Sequence, residues 1–201
     1  INASKAAEKV FQEEARAQQE QAAKLAEMAI ADNIEAFNND SSTPFVGPED
    51  AKVVMVEFFD FACGYCHMLA PSMEALITDN EDVKFVFKPL AFLRRESGYA
   101  AAAFIAANIQ SKGLEFYKAV MELDPHDLTE ENINAAAEKA GVDLEQMKKD
   151  MESEEVEVAL RQIGDLAHKA NINGVPFLLL NGKIIHSYDK NELQNAINAE
   201  K

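Results

Sequence analysis

The stretch VVMVEFFDFACGYCHMLAP, residues 53–71, decides the fold of this chain. Its first part, Val53 to Phe59, is apolar, rich in β-branched and aromatic residues, and interrupted by one acid, Glu57. That is the composition of a central strand in an open sheet. The strand runs straight into Cys63-Gly64-Tyr65-Cys66, and from His67 onward apolar residues recur at helical spacing. Strand, turn and helix thus place a CxxC at a helix N-terminus. There, unpaired N–H groups and the helix dipole favour a thiolate. Cys63 is expected to open a substrate disulfide, and Cys66, one turn along and more buried, to resolve the resulting mixed disulfide. Gly64 and Tyr65 between them are expected to tune the reduction potential.

Reading outward, Val83 to Phe87 is a second strand, so a βαβ unit is complete by Lys88. From about Ser97 to Ala170 the pattern is helical, with Ser and Thr at helix starts and Gly at a helix end. Sheet returns at Val175 to Leu180. An Asn181-Gly182 type I′ turn follows, then a strand from Lys183 to Ser187 and a final helix capped by Asp189. Toward the N-terminus, residues 38–48 (NNDSSTPFVGP) are rich in turn formers and read as a linker. Before them, Asn2 to about Phe37 contains neither Gly nor Pro and reads as one long helix or two. Its apolar positions, among them Val10, Phe11, Leu25, Met28, Ile30, Ile34 and Phe37, fit no clean heptad. A helix that cannot bury itself is expected to serve as a self-association arm, the alternatives being a helix packed against its own domain or frayed.

The two cysteines, three positions apart, cannot staple distant parts of a 201-residue chain, so their role is chemical. A net charge of -16 argues against nucleic acid as a partner, because phosphate binding needs clustered Lys and Arg. No apolar run has the length of a membrane span. The first residue is Ile1 rather than Met, as in a mature product or trimmed chain, which leaves any leader or lipid anchor out of view.

Two rival readings exist for the cysteines. With His67 the run is C-G-Y-C-H, which also matches c-type haem attachment. The strand before the motif and the hairpin after Pro176 argue against a haem-wrapping fold. Zinc needs four ligands, and beyond the two cysteines there are only four scattered histidines, at 67, 126, 168 and 186. The reading adopted takes no cofactor beyond a redox-active Cys63/Cys66 disulfide.

Cys63-Gly-Tyr-Cys-His-Met-Leu-Ala-Pro71 resembles the active-site helix of thioredoxins, and Asn173-Gly-Val-Pro176-Phe resembles that superfamily's cis-proline loop. About 87 residues lie between Lys88 and Pro176, room for a helical domain of roughly 65 to 75 residues. This layout is similar to DsbA-like proteins, and TPFVGPEDAK before the first strand looks most like the subgroup of suppressor-of-copper-sensitivity proteins and Com-type antigens. The resemblance implies an α/β thioredoxin fold with an inserted helical domain and an N-terminal helical extension. Residues 1–40 would be arm and linker, 41–95 and 166–201 the two parts of the thioredoxin-like domain, and 96–165 the insertion. It also implies that Pro176 is a cis-proline beside the sulfurs and that Val175 presents its backbone to substrate. Glu57 would be the buried acid that accepts the Cys66 proton, and Lys88 a lysine near that acid. Tyr65, Phe59, Phe61 and Phe177 form a candidate apolar platform for unfolded substrates, with core packing an equally good account of most of them, while Met68 and Met73 read as core.

The Gly-Tyr dipeptide and the arm favour a homo-oligomeric disulfide isomerase with some oxidase activity, a dimer through residues 1–37, whereas Val175 resembles an oxidase. The alternatives are a dithiol oxidase without an isomerase role, or a haem or metal module using C-G-Y-C-H. The expected partners are unfolded or misfolded secreted proteins and a membrane redox partner, and the expected location is periplasmic or otherwise extracytoplasmic.

Overall fold

The computed structural model describes residues 2–40 and 42–201. Ile1 and Ser41, at which two of the expected segments begin, lie outside them. Helix α1 (Asn2–Asp32) is followed after a one-residue break by α2 (Ile34–Asn38), then β1 (Phe45–Val46), β2 (Val53–Phe59), α3 (Gly64–Asp79) and β3 (Val83–Pro89). Five helices follow: α4 (Arg95–Ile109), α5 (Gly113–Met121), α6 (Glu130–Lys139), α7 (Leu144–Met151) and α8 (Glu154–Lys169). The chain closes with β4 (Phe177–Leu180), β5 (Lys183–Ile185) and α9 (Lys190–Glu200). The sheet order is β1-β3-β2-β4-β5, with β2 parallel to β3 and antiparallel to β4.

Local chemistry accounts for these boundaries. Thr129, Asp143, Ser153 and Asp189 each accept a hydrogen bond from a backbone N–H in the first turn of α6, α7, α8 and α9, which satisfies donors the helix leaves unpaired. Asn181 (φ 48) and Gly182 (φ 77) make the tight turn, and Asn181 also accepts from Val54 N through its side chain at 2.9 Å. Strand β4 starts at Phe177 rather than at Val175, because Pro176 has no N–H to give to the ladder.

The expected linker is more ordered than its composition suggests. It contains the edge strand β1, antiparallel to β3. Two buried lysines on β3 hold it down: Lys84 donates to Asn39 Oδ1 at 2.9 Å, and Lys88 donates to Thr43 Oγ1 at 3.1 Å. Gly47 sits at φ 98, where an added Cβ would lie 2.1 Å from Val83 O, so only glycine fits this approach.

One core serves both sheet and insertion. Phe59, Phe61 and Phe87 pack edge-on or tilted against Phe104, Phe116 and Tyr117 from α4 and α5. The alanines of α4, buried from Ala100 to Ala107 apart from Ala102, let neighbouring helices approach closely. The N-terminal helices divide in two. Ile30 and Phe37 are fully buried, and Phe37 meets Phe58 edge-on at 5.8 Å, while Val10, Phe11, Leu25 and Met28 are exposed.

Phe37 therefore belongs to the catalytic domain's core. Phe37→Ala is expected to cost about 3–5 kcal/mol, read as a lower urea midpoint at an unchanged slope.

Candidate active site

Cys63 is the N-cap residue of α3, and its N–H donates to Asp60 O at 2.9 Å. Its side chain lies at the surface of a buried loop, 7 % exposed, whereas Cys66 is fully buried; both are free thiols. The Cys63 thiol donates to Val175 O at 3.5 Å, and the Val175–Pro176 peptide is cis. Tyr188 donates to Pro176 O at 2.9 Å and so ties down the same loop. A cleft of ≈ 290 Å³ runs along Asn171 to Phe177 beside Tyr188.

The electrostatics separate the two sulfurs. A hydrogen bond from Cys66 and the backbone N–H groups of Cys66 and Tyr65 hold the Cys63 thiol down to about 6, against opposing burial. Burial, the bond to Cys63 and the nearby Glu57 push the Cys66 thiol far up. Between about 6 and the usual 9.0 the folded chain binds fewer protons at Cys63 than an unfolded one, so the reduced fold gains stability as pH rises through that window and loses it as pH falls.

Glu57 is fully buried, and desolvation raises it to about 8 even though Tyr117 donates to its Oε2 at 3.1 Å. Its Oε1 has no partner among the described residues. Asp60, also fully buried, is satisfied differently. Its Oδ1 accepts from Ala62 N at 2.8 Å and Ser97 Oγ at 2.6 Å, and its Oδ2 accepts from the N–H groups of Phe92 and Leu93, each at 3.1 Å. His67 sets Nδ1 2.9 Å from Met121 O and Nε2 2.6 Å from Phe61 O, so its ring spans the loop before Cys63 and the end of α5. Whichever nitrogen carries the proton, the ring sits between protein carbonyls. Among the described residues no three His, Cys, Asp or Glu side chains gather as metal ligands.

Some expectations need correction. Lys88 is not a partner of Glu57. In the β2–β3 register it lies opposite Phe58, one residue on from the Glu57–Phe87 pair, and strand alternation turns it to the other face of the sheet. There it meets Thr43 and, at 3.7 Å, Asp40; burial pulls it down to about 8 despite Asp40. Met68 is 75 % exposed rather than core, on the same helix side as Tyr65, which is 70 % exposed. Phe59 and Phe61 are buried in the shared core and form no surface platform, while Phe177 is half-buried. Gly64 faces open space. Sequence reading missed Tyr117, Asp60 and Tyr188. Asp60 carried a signal in its position between the strand and the CxxC, but the partners of Tyr117 and Tyr188 depend on tertiary packing alone.

Comparison with known proteins agrees with this geometry. A thioredoxin family profile matches residues 38–199. The protein named probable disulfide bond formation protein D in Bacillus anthracis is 31% identical over 172 residues, 80% of this chain and 79% of that one. Among solved structures, a thioredoxin-like oxidoreductase from Silicibacter pomeroyi superposes with a TM-score of 0.76 at 30% identity, covering 82% of this chain and 95% of its own. The catalytic domain of Proteus mirabilis ScsC superposes at 0.77 with 24% identity, covering 87% and 97%, a likeness of fold.

Alkylation of the reduced protein by iodoacetamide is expected to modify Cys63 with a rate that rises through a midpoint near pH 6, while Cys66 stays unmodified in the folded state. Peptide mass mapping across pH 4 to 9 checks this. Lys88→Met is expected to lower stability by leaving Asp40 without its cation while the Cys63 alkylation midpoint stays in place.

Proposed function

This chain belongs to the thioredoxin family as a DsbA-like thiol-disulfide oxidoreductase, and from that premise we propose that it reshuffles disulfides in secreted proteins as a homo-oligomer, with oxidase activity besides. The observation that carries the exchange chemistry is the Cys63 sulfur at the start of α3, 3.5 Å from the Val175 carbonyl, above a buried Cys66. A thiolate there attacks one sulfur of a substrate disulfide. The Cys63–substrate bond forms, the substrate S–S bond breaks, and the other substrate sulfur leaves with the electron pair. The mixed disulfide then has two fates. A second substrate thiolate displaces Cys63, which completes isomerisation and regenerates the thiolate. Otherwise Cys66 gives its proton to Glu57 and attacks Cys63 Sγ, which releases reduced substrate and leaves the Cys63–Cys66 disulfide. Both steps run backwards oxidise a substrate dithiol: one substrate thiolate opens the Cys63–Cys66 disulfide at Cys63, the second displaces Cys63 from the mixed disulfide, and a membrane redox partner would recycle the reduced pair.

The low Cys63 value stabilises the reduced form and so supports the oxidising direction. It favours a second reading, a dithiol oxidase without isomerase work, and the name of the Bacillus anthracis relative points the same way. For isomerisation speak the exposed Tyr65 and Met68 beside the cysteines, which offer apolar surface to a non-native chain, and the arm. Val10, Phe11, Leu25 and Met28 leave α1 with exposed apolar side chains away from the face that buries Ile30. Association of two or more arms would cover them and hold several active sites around one substrate. Among the described residues no helix is long and apolar enough to cross a membrane. An extracytoplasmic location is the setting in which protein disulfides persist.

The buried Ile30 and Phe37 place the informative truncation at Met28 rather than after Phe37. Removing residues 1–28 is expected to give a monomer by light scattering that still turns over small disulfides but has lost at least about tenfold in reactivating scrambled ribonuclease. Full reactivation by the monomer would overturn the role of the arm in isomerisation, and failure of the full-length chain to reactivate scrambled ribonuclease would favour the oxidase reading.

A further inference from the structure

Tyr117 lies on α5 in the helical insertion, fully buried, its ring 4.8 Å from that of Phe87 and 5.2 Å from that of Phe59. A phenylalanine would fill this space as well. A buried hydroxyl needs a partner, and the hydroxyl here donates to Glu57 Oε2 at 3.1 Å. The other carboxyl oxygen, Oε1, is buried without a partner among the described residues. One oxygen of the acid is thus fixed and the other is left open.

We propose that Tyr117 is a positioning residue for thiol-disulfide exchange: its hydroxyl holds Glu57 Oε2 so that Oε1 is the atom that takes the Cys66 proton. The inference rests on the reading of Glu57 as proton acceptor. In the step concerned, the proton on Cys66 Sγ passes to Glu57 Oε1 and the S–H electron pair stays on Cys66. That pair forms the bond to Cys63 Sγ, and the Cys63–substrate bond breaks with its electrons leaving on the substrate sulfur. No other oxidant or reductant enters. The hydroxyl acts a second way. A donor to a carboxylate favours the ionised form, so Tyr117 opposes the rise that burial imposes on Glu57 and keeps the acid usable near neutral pH. Burial raises the phenol itself well above its ordinary value, so it stays a donor throughout the working range.

The role differs from plain packing because it couples the insertion to one chemical step. Attack by Cys63 does not need Glu57 as a base, whereas resolution by Cys66 does. Reduced protein mixed with excess 5,5′-dithiobis(2-nitrobenzoate) separates the two: a first thionitrobenzoate leaves when Cys63 attacks, and a second leaves when Cys66 resolves the adduct.

Tyr117→Phe removes the hydroxyl and keeps the ring. Relative to the first phase of the same protein, its second phase is expected to titrate about one pH unit higher than wild type and to run up to about tenfold slower at pH 7. Site-specific 3-fluorotyrosine at position 117, a more acidic and stronger donor, is expected to move the midpoint down; it also keeps the test usable should Tyr117→Phe fail to fold. A second-phase profile unmoved by the fluorinated residue, or by a folded Tyr117→Phe, overturns the inference. Glu57→Gln tests the underlying reading separately. It is expected to slow the second phase and remove the midpoint near pH 8, and a wild-type profile there would overturn the Glu57 reading itself.

Discussion

The buried carboxylate of Asp60 is the interaction on which the site's geometry rests. Its two oxygens accept four hydrogen bonds, from Ala62 N, Ser97 Oγ, Phe92 N and Leu93 N. Those donors come from three places: the turn that carries Cys63, the loop after β3, and the first turn of α4. A carboxylate this deep is costly unless its lone pairs are taken up, and here they are, largely by rigid backbone groups. The same bonds fix where β2 ends and where α3 begins. The direction of α3 in turn sets the N–H groups that hold the Cys63 thiolate. Asp60 also places negative charge near Cys63, which raises its thiol, so the backbone donors of Tyr65 and Cys66 act against an adverse field. The structure accepts that opposition in exchange for a fixed turn.

Two buried acids lie three residues apart, Glu57 within β2 and Asp60 just past its end, and their oxygens are bonded differently. Asp60 is surrounded by donors, whereas Glu57 has one donor for two oxygens and is raised to about 8. Both are fully buried, so the difference in hydrogen bonding is not one of depth. The open Glu57 oxygen fits the proton-acceptor role proposed for it.

What could be read in the sequence was what is local or periodic. The CxxC after an apolar strand, the Asn181-Gly182 turn, the Asp189 cap and the helical character of the insertion all depend on neighbours within a turn or two. Glu57 was visible as the one acid in an otherwise apolar strand. Lys88 shows where such reading stops. The family resemblance put it near Glu57, but its side of the sheet depends on register, and a one-residue offset turned it toward Asp40 and Thr43. The same network explains why Asn39, Asp40 and Thr43 of the turn-rich stretch are anchored. Met68 was misplaced because helical spacing identifies a stripe without saying how much of it a neighbour covers. Tyr117 could not have been found at all, since its partner lies 60 residues away on another element.

The N-terminal helices show the same limit at larger scale. One run of helix formers carries two different jobs, and composition does not divide them. Ile30, Ile34 and Phe37 recur at spacings of four and three, so they share a face, and that face closes the catalytic domain near Phe58 and the Asn181-Gly182 turn. Leu25 and Met28 have the same three-residue spacing on another side, where they remain exposed. The break at Asn33, whose side chain donates to Ala29 O at 2.8 Å, lies within the buried part, not at the boundary between the two jobs. The arm therefore leaves the domain as a continuous helix from Asp32 backward, and among its described residues Ile30 is the fully buried anchor. In proteins most helical stability comes from packing of an apolar face, and i,i+4 pairs such as Lys9–Glu13 and Arg16–Glu20 add only a few tenths of a kcal/mol each. A helix of this length with apolar residues facing water gains most of its stability when another surface covers them, so the proposed assembly and the helical state of the arm would be coupled.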